Sequence, residues 1–153
     1  MTPLFIALHI LSAVIWVGGM FFAYLCLRPV AASLLEPSER LPLWCGVFSR
    51  FFPWVWVSVV VIVISGHGMT SALGGMASVG KHVHIMMGLG YLMVALYLHV
   101  YFALFGKLKR FVAAKLWAEA GQTLNKMRMI IGVNLVLGCV VIVVASGGRY
   151  LFM

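Results

Sequence analysis

The sequence predicts an all-α integral membrane protein, a four-helix bundle, from its composition and from the length of its apolar runs. Of its 153 residues, 64% are hydrophobic and only 9% are charged, and the mean hydropathy is +1.11. This composition is not that of a water-soluble domain. Four apolar runs reach the roughly 20 residues that a helix needs to cross the hydrocarbon core. In lipid such runs must be helical, because their backbone groups have no other hydrogen-bond partners.

We expect a single transmembrane domain over residues 1–153, with spans at about 4–27, 47–65, 83–105 and 129–145. The first run is not preceded by a positively charged segment and is longer than the apolar region of a typical signal peptide. It is therefore interpreted as a retained span.

The distribution of Lys and Arg predicts the orientation of the bundle. Nine of the eleven basic residues lie in the first and third connections, whereas the second connection holds Lys81 and the tail holds Arg149. Cytoplasmic connections retain basic residues, so both termini are expected on the outer, periplasmic side of a bacterial-type inner membrane. The net charge of +8 then reflects this bias and attraction to the lipid bilayer, and it does not indicate nucleic-acid binding.

Four of the five histidines fall near the ends of apolar runs that this topology places at the outer face. They are His9, His67, His82 and His84. At about 1.5 Å per helical residue, His99 lies about 22 Å deeper in the membrane than His84. An ionisable side chain in a span is costly unless it is paired or used. Histidines gathered from three helices predict a metal or haem site.

His9 is the best candidate ligand of this group. It shares a helical stripe with Trp16 and Gly19, which is expected to face the bundle interior and to leave room for another helix or a flat macrocycle. A simple interhelical hydrogen bond is the alternative role for His9.

The second ligand is expected to be His84 or His67. His67 lies between two glycines at a helix end, so its ring could turn inward or meet water. His82 and His84 are two residues apart and point in different directions on a helix. His84 is favoured over His82 because it lies deeper and Gly88, one turn further, leaves space for a ring.

Haem b is the first cofactor hypothesis. A haem needs two axial groups across a dry cleft whose walls are glycines and aromatic rings. His9 with His84 or His67, above Trp16, Gly19 and Gly88, would meet that requirement. The function expected from such a site is electron transfer or a small redox reaction, as in a haem-dependent oxidoreductase, with a quinone or another electron donor or acceptor as partner.

Copper is the alternative cofactor, and a copper-binding or copper-transport protein is the corresponding function. Cu(I) prefers thioether and imidazole ligands. The outer half of the chain also carries four methionines, Met69, Met76, Met86 and Met87. Methionine is equally a normal residue for filling a bundle core, so this set alone does not decide between the two.

The positions of the acidic residues narrow the chemistry at the outer face. The sequence has only three carboxylates, Glu36, Glu39 and Glu119, and all are assigned to the inner side. A carboxylate-driven pump or a zinc hydrolase would have no base at the outer site.

Because four short helices enclose little volume, a homo-oligomer is also expected.

The start of the chain resembles a known family. The run from His9 through Trp16 to Gly18-Gly19-Met20, followed by Leu27-Arg28-Pro29, is similar to the opening of CopD-like (copper-resistance D) membrane proteins. The HemJ-type four-helix protoporphyrinogen oxidases share the histidine and tryptophan seven apart followed by glycine. Their arginine stands closer to the glycine and precedes a histidine, whereas here Arg28 precedes Pro29. The resemblance thus favours a CopD-like protein and implies haem b or copper at His9, with HemJ-like porphyrinogen oxidation as a further alternative.

Overall fold

The computed structural model describes the backbone of residues 2–151 and the side chains of residues 3–148, and every element in it is a helix. The elements are six α-helices, two wider π-helical segments and one 3-10 turn. In chain order they are α1 (Thr2–Phe21), the π segment Phe22–Leu27, α2 (Arg28–Leu34), α3 (Pro37–Ala72), the 3-10 turn Met76–Ser78, α4 (Lys81–His99), the π segment Val100–Phe105, α5 (Gly106–Ala113) and α6 (Trp117–Leu151).

Because the π segments join neighbouring helices without a break, these elements form four continuous helical spans. The spans are Pro3–Leu34, Pro37–Ala72, Lys81–Ala113 and Trp117–Gly148, and each is long and apolar enough to cross a membrane. The predicted all-α, four-helix membrane fold is confirmed. The chain is therefore a multi-pass membrane protein whose apolar surface requires a lipid bilayer.

The helices run further at one end of the bundle than the apolar runs alone suggest. The first connection shrinks to Leu35 and Glu36, and the third to residues 114–116. Lys, Arg, Glu, Ala and Leu, which are good helix formers, dominate the polar flanks, so the helices continue past the apolar runs. Lys115 ends α5 with a φ of 57°, and the Leu116 amide donates to the Phe111 carbonyl at 2.9 Å, a Schellman-type stop.

The other end of the bundle has a longer connection. Residues 73–80 join α3 to α4, and Gly74 follows the helix with a φ of 93°. The amide of Gly75 reaches back to the carbonyl of Thr70 at 2.9 Å, which closes the last turn of α3. Glycine suits this turn because it adopts a positive φ without a steric penalty.

These two ends are named here by their side chains. The histidine end carries the start of α1, the end of α6 and the 73–80 connection, and the basic end carries the connections at 35–36 and 114–116. Along the bundle the first span packs mainly against the second and the third against the fourth, while α6 also contacts α1 and α3. The approach of α3 to α4 is less close, which leaves space between them at the histidine end.

The core and the outer surface have the composition expected in lipid. Large apolar side chains such as Val14, Phe102 and Val136 are more than half exposed and point away from the bundle. Inside, an aromatic layer joins three spans: the Tyr97 ring lies 6.1 Å from Trp16 and 5.7 Å from Phe52, and its hydroxyl donates to the Phe52 carbonyl at 3.1 Å. This aromatic layer separates the two ends of the bundle.

Candidate metal site at the histidine end

A cavity of about 280 Å³ opens at the histidine end between α1, α3, α4 and α6. Most of its wall is aliphatic. Its remaining lining side chains are soft or neutral donors, namely His9, His67, Met69, Thr70, Met86, Met87, Tyr91 and Met93, with Trp16 at its floor. Among the residues that the structure describes, no carboxylate side chain lines this cavity.

The ring of His9 is held by a short hydrogen-bond chain to α3. Its Nδ1 lies 2.9 Å from the Ser65 hydroxyl, and that hydroxyl lies 2.6 Å from the Val61 carbonyl. A carbonyl only accepts, so the Ser65 hydroxyl donates to it and must accept from His9. The proton of His9 therefore sits on Nδ1, and Nε2 retains a free lone pair. Metal-binding histidines are oriented in this way.

His67 has the same arrangement at the mouth of the cavity. Its Nδ1 donates to the Val63 carbonyl at 2.9 Å, which leaves the proton on Nδ1 and the lone pair on Nε2. The Tyr91 hydroxyl from α4 donates to that Nε2 at 3.0 Å. The Tyr91 hydroxyl thus occupies the position that a metal ion would need on His67.

The methionines at the histidine end fall into two groups, those that line the cavity and one that does not. Met69, Met86 and Met87 line the cavity together with Met93, whereas Met76 lies in the connection and is 40% exposed. Met93 is 4% exposed and was not among the methionines singled out from the sequence. Its position seven residues after Met86 places both on one helical face, a signal that would have identified it.

His84 lies outside this group. Its side chain is exposed, it does not line the cavity, and its Nδ1 turns back to the Gly80 carbonyl at 3.3 Å. Gly88, one turn further, is also exposed and has open space where a side chain would begin. A pairing of His9 with His84 stays a prediction, and this arrangement does not bring the two rings to one cavity.

The remaining histidines are also separate from the cavity. His82 packs against Gly148 and Gly80, and His99 is exposed at the end of α4. Within the described residues no group of three or more His, Cys, Asp or Glu could hold a metal ion. A metal held in this cavity by more than two side chains would therefore draw on the thioethers or hydroxyls as well as on imidazole.

Trp16 and Gly19 lie where the helical stripe predicts, on the inner face of α1. Trp16 is 4% exposed and lines both the histidine-end cavity and a second cavity of about 250 Å³ on the other side of the aromatic layer. At Gly19 the Phe51 ring takes the place of a side chain, since its Cε2 and Cζ overlap the position that a Cβ would occupy. Phe51 from α3, and not an open slot, covers the face of Gly19.

Comparison with known proteins adds one match. The family model CopD, described as Copper resistance protein D, matches residues 45–147, about two thirds of the chain. This match includes His67, Tyr91 and all four cavity methionines, and it begins after the His9 stripe on which the resemblance was recognised. No curated protein and no solved structure matches the chain.

Proposed function

The chain belongs to the copper resistance protein D family, and from this membership together with the cavity side chains we propose that it binds and hands on copper ions. The predicted CopD-like identity is thereby confirmed, whereas a relationship with the HemJ-type oxidases stays a prediction. Copper, the alternative in the sequence analysis, becomes the main hypothesis.

The observation that carries the proposal is the donor set of the cavity. Two imidazoles carry their protons on Nδ1, because the hydroxyl of Ser65 and the carbonyl of Val63 accept them. This leaves an Nε2 lone pair on His9, and a metal would have to displace the Tyr91 hydroxyl from the Nε2 lone pair of His67. Four thioethers line the same walls. Neutral nitrogen and sulfur ligands without a carboxylate suit Cu(I), whereas Mg²⁺, Ca²⁺ and Mn²⁺ prefer oxygen.

The proposed orientation brings copper to the outer face. Nine of the eleven Lys and Arg lie at or near the basic end, and retention of such residues on the cytoplasmic side would place the cavity toward the periplasm of a bacterial inner membrane. Copper would then enter from outside between α3 and α4. A homo-oligomer could close the lateral opening of the cavity.

Haem b and electron transfer to a quinone remain the second hypothesis. His9 and His67 both line the cavity and could act as axial ligands. However, Phe51 fills the face of Gly19, and Gly88 faces outward, so the two expected glycine walls of a haem slot are missing. The haem hypothesis, with its oxidoreductase and porphyrinogen-oxidase variants, therefore has less support than copper.

The test measures the Cu(I) affinity of the detergent-purified full chain by competition with a chromophoric Cu(I) chelator. His67→Ala and His84→Ala form a matched pair, because both side chains are exposed at the same end but only His67 lines the cavity. We expect His67→Ala to weaken binding by about tenfold or more, which corresponds to at least about 1.4 kcal/mol, and His84→Ala to leave it unchanged. Equal losses in both variants, or no Cu(I) binding by the wild type, would refute the proposal.

A visible spectrum of the same preparation, with and without dithionite, tests the second hypothesis. Sharp bands of a reduced b-type haem that disappear in His9→Ala and persist in His99→Ala would establish haem binding. A colourless protein that retains Cu(I) would exclude haem binding and support the copper proposal.

A further inference from the structure

Arg128 occupies an unusual position in α6. It stands directly before the apolar run of residues 129–145, in the fourth span, and its side chain is only partly exposed. A charged side chain at this depth is costly unless a partner satisfies it. Its described hydrogen bond is a long one, from Nη1 to the Asn125 side-chain oxygen at 3.4 Å.

The other donors of Arg128 have no partner within the described part of the chain. Its Nε and Nη2 are buried and make no hydrogen bond. The guanidinium carbon lies 5.4 Å from the centre of the Trp44 ring, and the Trp44 indole N–H is also buried with no hydrogen-bond partner in the part of the chain that the structure describes. Trp44 is only 3% exposed, so water does not satisfy its N–H. Several N–H donors thus lie unused in one small region between α3 and α6.

The surrounding charge is positive. Arg28 and Arg40 lie close enough to Arg128 for their charges to act on it, and neither is a partner for a third cation. Glu36 and Glu39, the nearest acidic residues along the chain to Arg40, are exposed. Three arginines from three spans therefore add positive charge near the unpartnered donors, and binding of an anion would relieve the repulsion between them.

The level of the cluster in the bundle indicates the anion. Arg28, Trp44 and Arg128 each lie at the boundary between an apolar run and the polar flank at the basic end. In a bilayer this boundary is the level of the phospholipid phosphates, and basic pockets between transmembrane helices bind anionic headgroups there. The planar fork of arginine also matches the oxygens of a phosphate.

We propose that Arg128, Trp44, Arg28 and Arg40 form a binding site for a phosphate group between the first, second and fourth spans. The buried N–H groups of Arg128 and Trp44 donate to the phosphate oxygens, and Arg28 and Arg40 contribute charge at the rim. The phosphate is that of an anionic phospholipid headgroup or free inorganic phosphate. This site is independent of copper at the opposite end of the bundle.

Two probes on the detergent-purified full chain distinguish these sources. Native mass spectrometry measures retention of phosphatidylglycerol against phosphatidylcholine, whose choline cation the arginines would repel. The unfolding temperature in inorganic phosphate, compared with chloride at matched ionic strength, measures binding of the free anion. The variants are Arg128→Gln and the matched control Lys126→Gln, which removes an exposed cation two residues away on the same helix.

The wild type is expected to bind one of the two probes at least about tenfold more tightly than Arg128→Gln does, as the loss of a charge-assisted hydrogen bond predicts. Selective retention of phosphatidylglycerol identifies a lipid, and stabilisation by phosphate alone identifies the free anion. Lys126→Gln should bind as the wild type does. Equal binding by wild type and Arg128→Gln, or no binding of either probe, overturns the proposal.

Trp44→Phe keeps the test decisive if Arg128→Gln does not fold. Phenylalanine keeps an aromatic ring at the contact with Phe48, whose centre lies 5.3 Å from that of Trp44, and removes the indole N–H together with the five-membered ring that carries it. Loss of one neutral hydrogen bond predicts binding weakened by about threefold to tenfold. Unchanged binding of both probes by this variant removes Trp44 from the site and contradicts the proposed geometry.

Discussion

The two ends of this bundle use opposite chemistry to solve the same problem, which is how to keep polar side chains among membrane helices. At the histidine end the donors are neutral, and the hydroxyl of Ser65 and the carbonyl of Val63 fix their protons. At the basic end Arg128 and Trp44 keep buried N–H groups that have no hydrogen-bond partner among the described residues. One end therefore offers lone pairs to a soft cation, and the other offers protons to an anion.

The aromatic layer of Trp16, Phe52 and Tyr97 lies between these ends and separates them. Residues that are far apart and share no partner contribute almost additively to stability and binding. Substitutions at one end should therefore leave binding at the other end unchanged.

The largest expected effect is at His9. Replacement by alanine removes an imidazole ligand, and because loss of a supporting partner alone lowers metal affinity by about 10–100-fold, we expect a decrease in Cu(I) affinity of about 100-fold or more. Chelator competition measures the change. Arg128→Gln, which changes a buried polar side chain at the basic end, is the control and should bind Cu(I) as the wild type does. A decrease of the same size in both variants would show that the two ends are not separate.

A somewhat smaller effect is expected at Ser65, which never touches the metal. Ser65→Ala removes the acceptor of the His9 Nδ1 proton, so the ring loses its fixed orientation and the Cu(I) affinity should fall by about 10–100-fold. Ser65→Thr retains a hydroxyl and should restore most of the affinity. If the Ser65→Ala and Ser65→Thr variants bind Cu(I) equally well, the hydroxyl at this position does not orient His9.

The packed middle of the bundle can be tested by stability. At Gly19 an added Cβ would overlap the Phe51 ring, whereas at Gly18, one residue earlier, no described atom lies within 4 Å of an added Cβ. Gly19→Ala should lower the free energy of unfolding by about 1–3 kcal/mol, because the Phe51 ring must move to make room for the added Cβ. Gly18→Ala should be neutral or stabilising by up to about 1 kcal/mol, because alanine favours helix. Thermal unfolding in detergent measures both, and equal stability would show that Phe51 does not close this face.

The smallest effect has the opposite sign. Tyr91→Phe removes the hydroxyl that donates to the His67 Nε2 and so competes with a metal. One neutral hydrogen bond contributes about 1 kcal/mol, so the Cu(I) affinity should rise by about fivefold. An affinity that falls instead would mean that the Tyr91 hydroxyl helps to bind copper and does not compete with it.

The membrane fold was predictable because four long apolar runs allow few alternatives in lipid. The identity of the ligands was harder to predict from the sequence. The inward face of α4 carries Met86, Gly90 and Met93 at helical spacing, whereas His84 lies at the edge of this face, in the first turn of α4, where its side chain is exposed. In the sequence analysis His84 was chosen as a candidate ligand because it lies deeper in the membrane than His82. The helical phase of the methionines is the better guide, because it indicates which face of α4 lines the cavity.

The cluster at the basic end was not predictable from the same patterns. Arg128 was counted only as one of many inner-side cations, because charge bias depends on which connection holds a residue and not on its burial. That Arg128 lies against Trp44 depends on how α6 packs on α3, which no local sequence pattern specifies.

X-ray absorption at the copper edge, on the Cu(I)-loaded protein with Cys26, Cys45 and Cys139 replaced by serine, tests the donor set most directly. With the thiols removed, sulfur in the copper coordination shell can come only from methionine. The structure predicts a mixed shell of imidazole nitrogen and thioether sulfur that loses nitrogen in His9→Ala. A shell of nitrogen and oxygen alone, or a shell that is unchanged in His9→Ala, would contradict the assignment of the histidine-end cavity as the copper site.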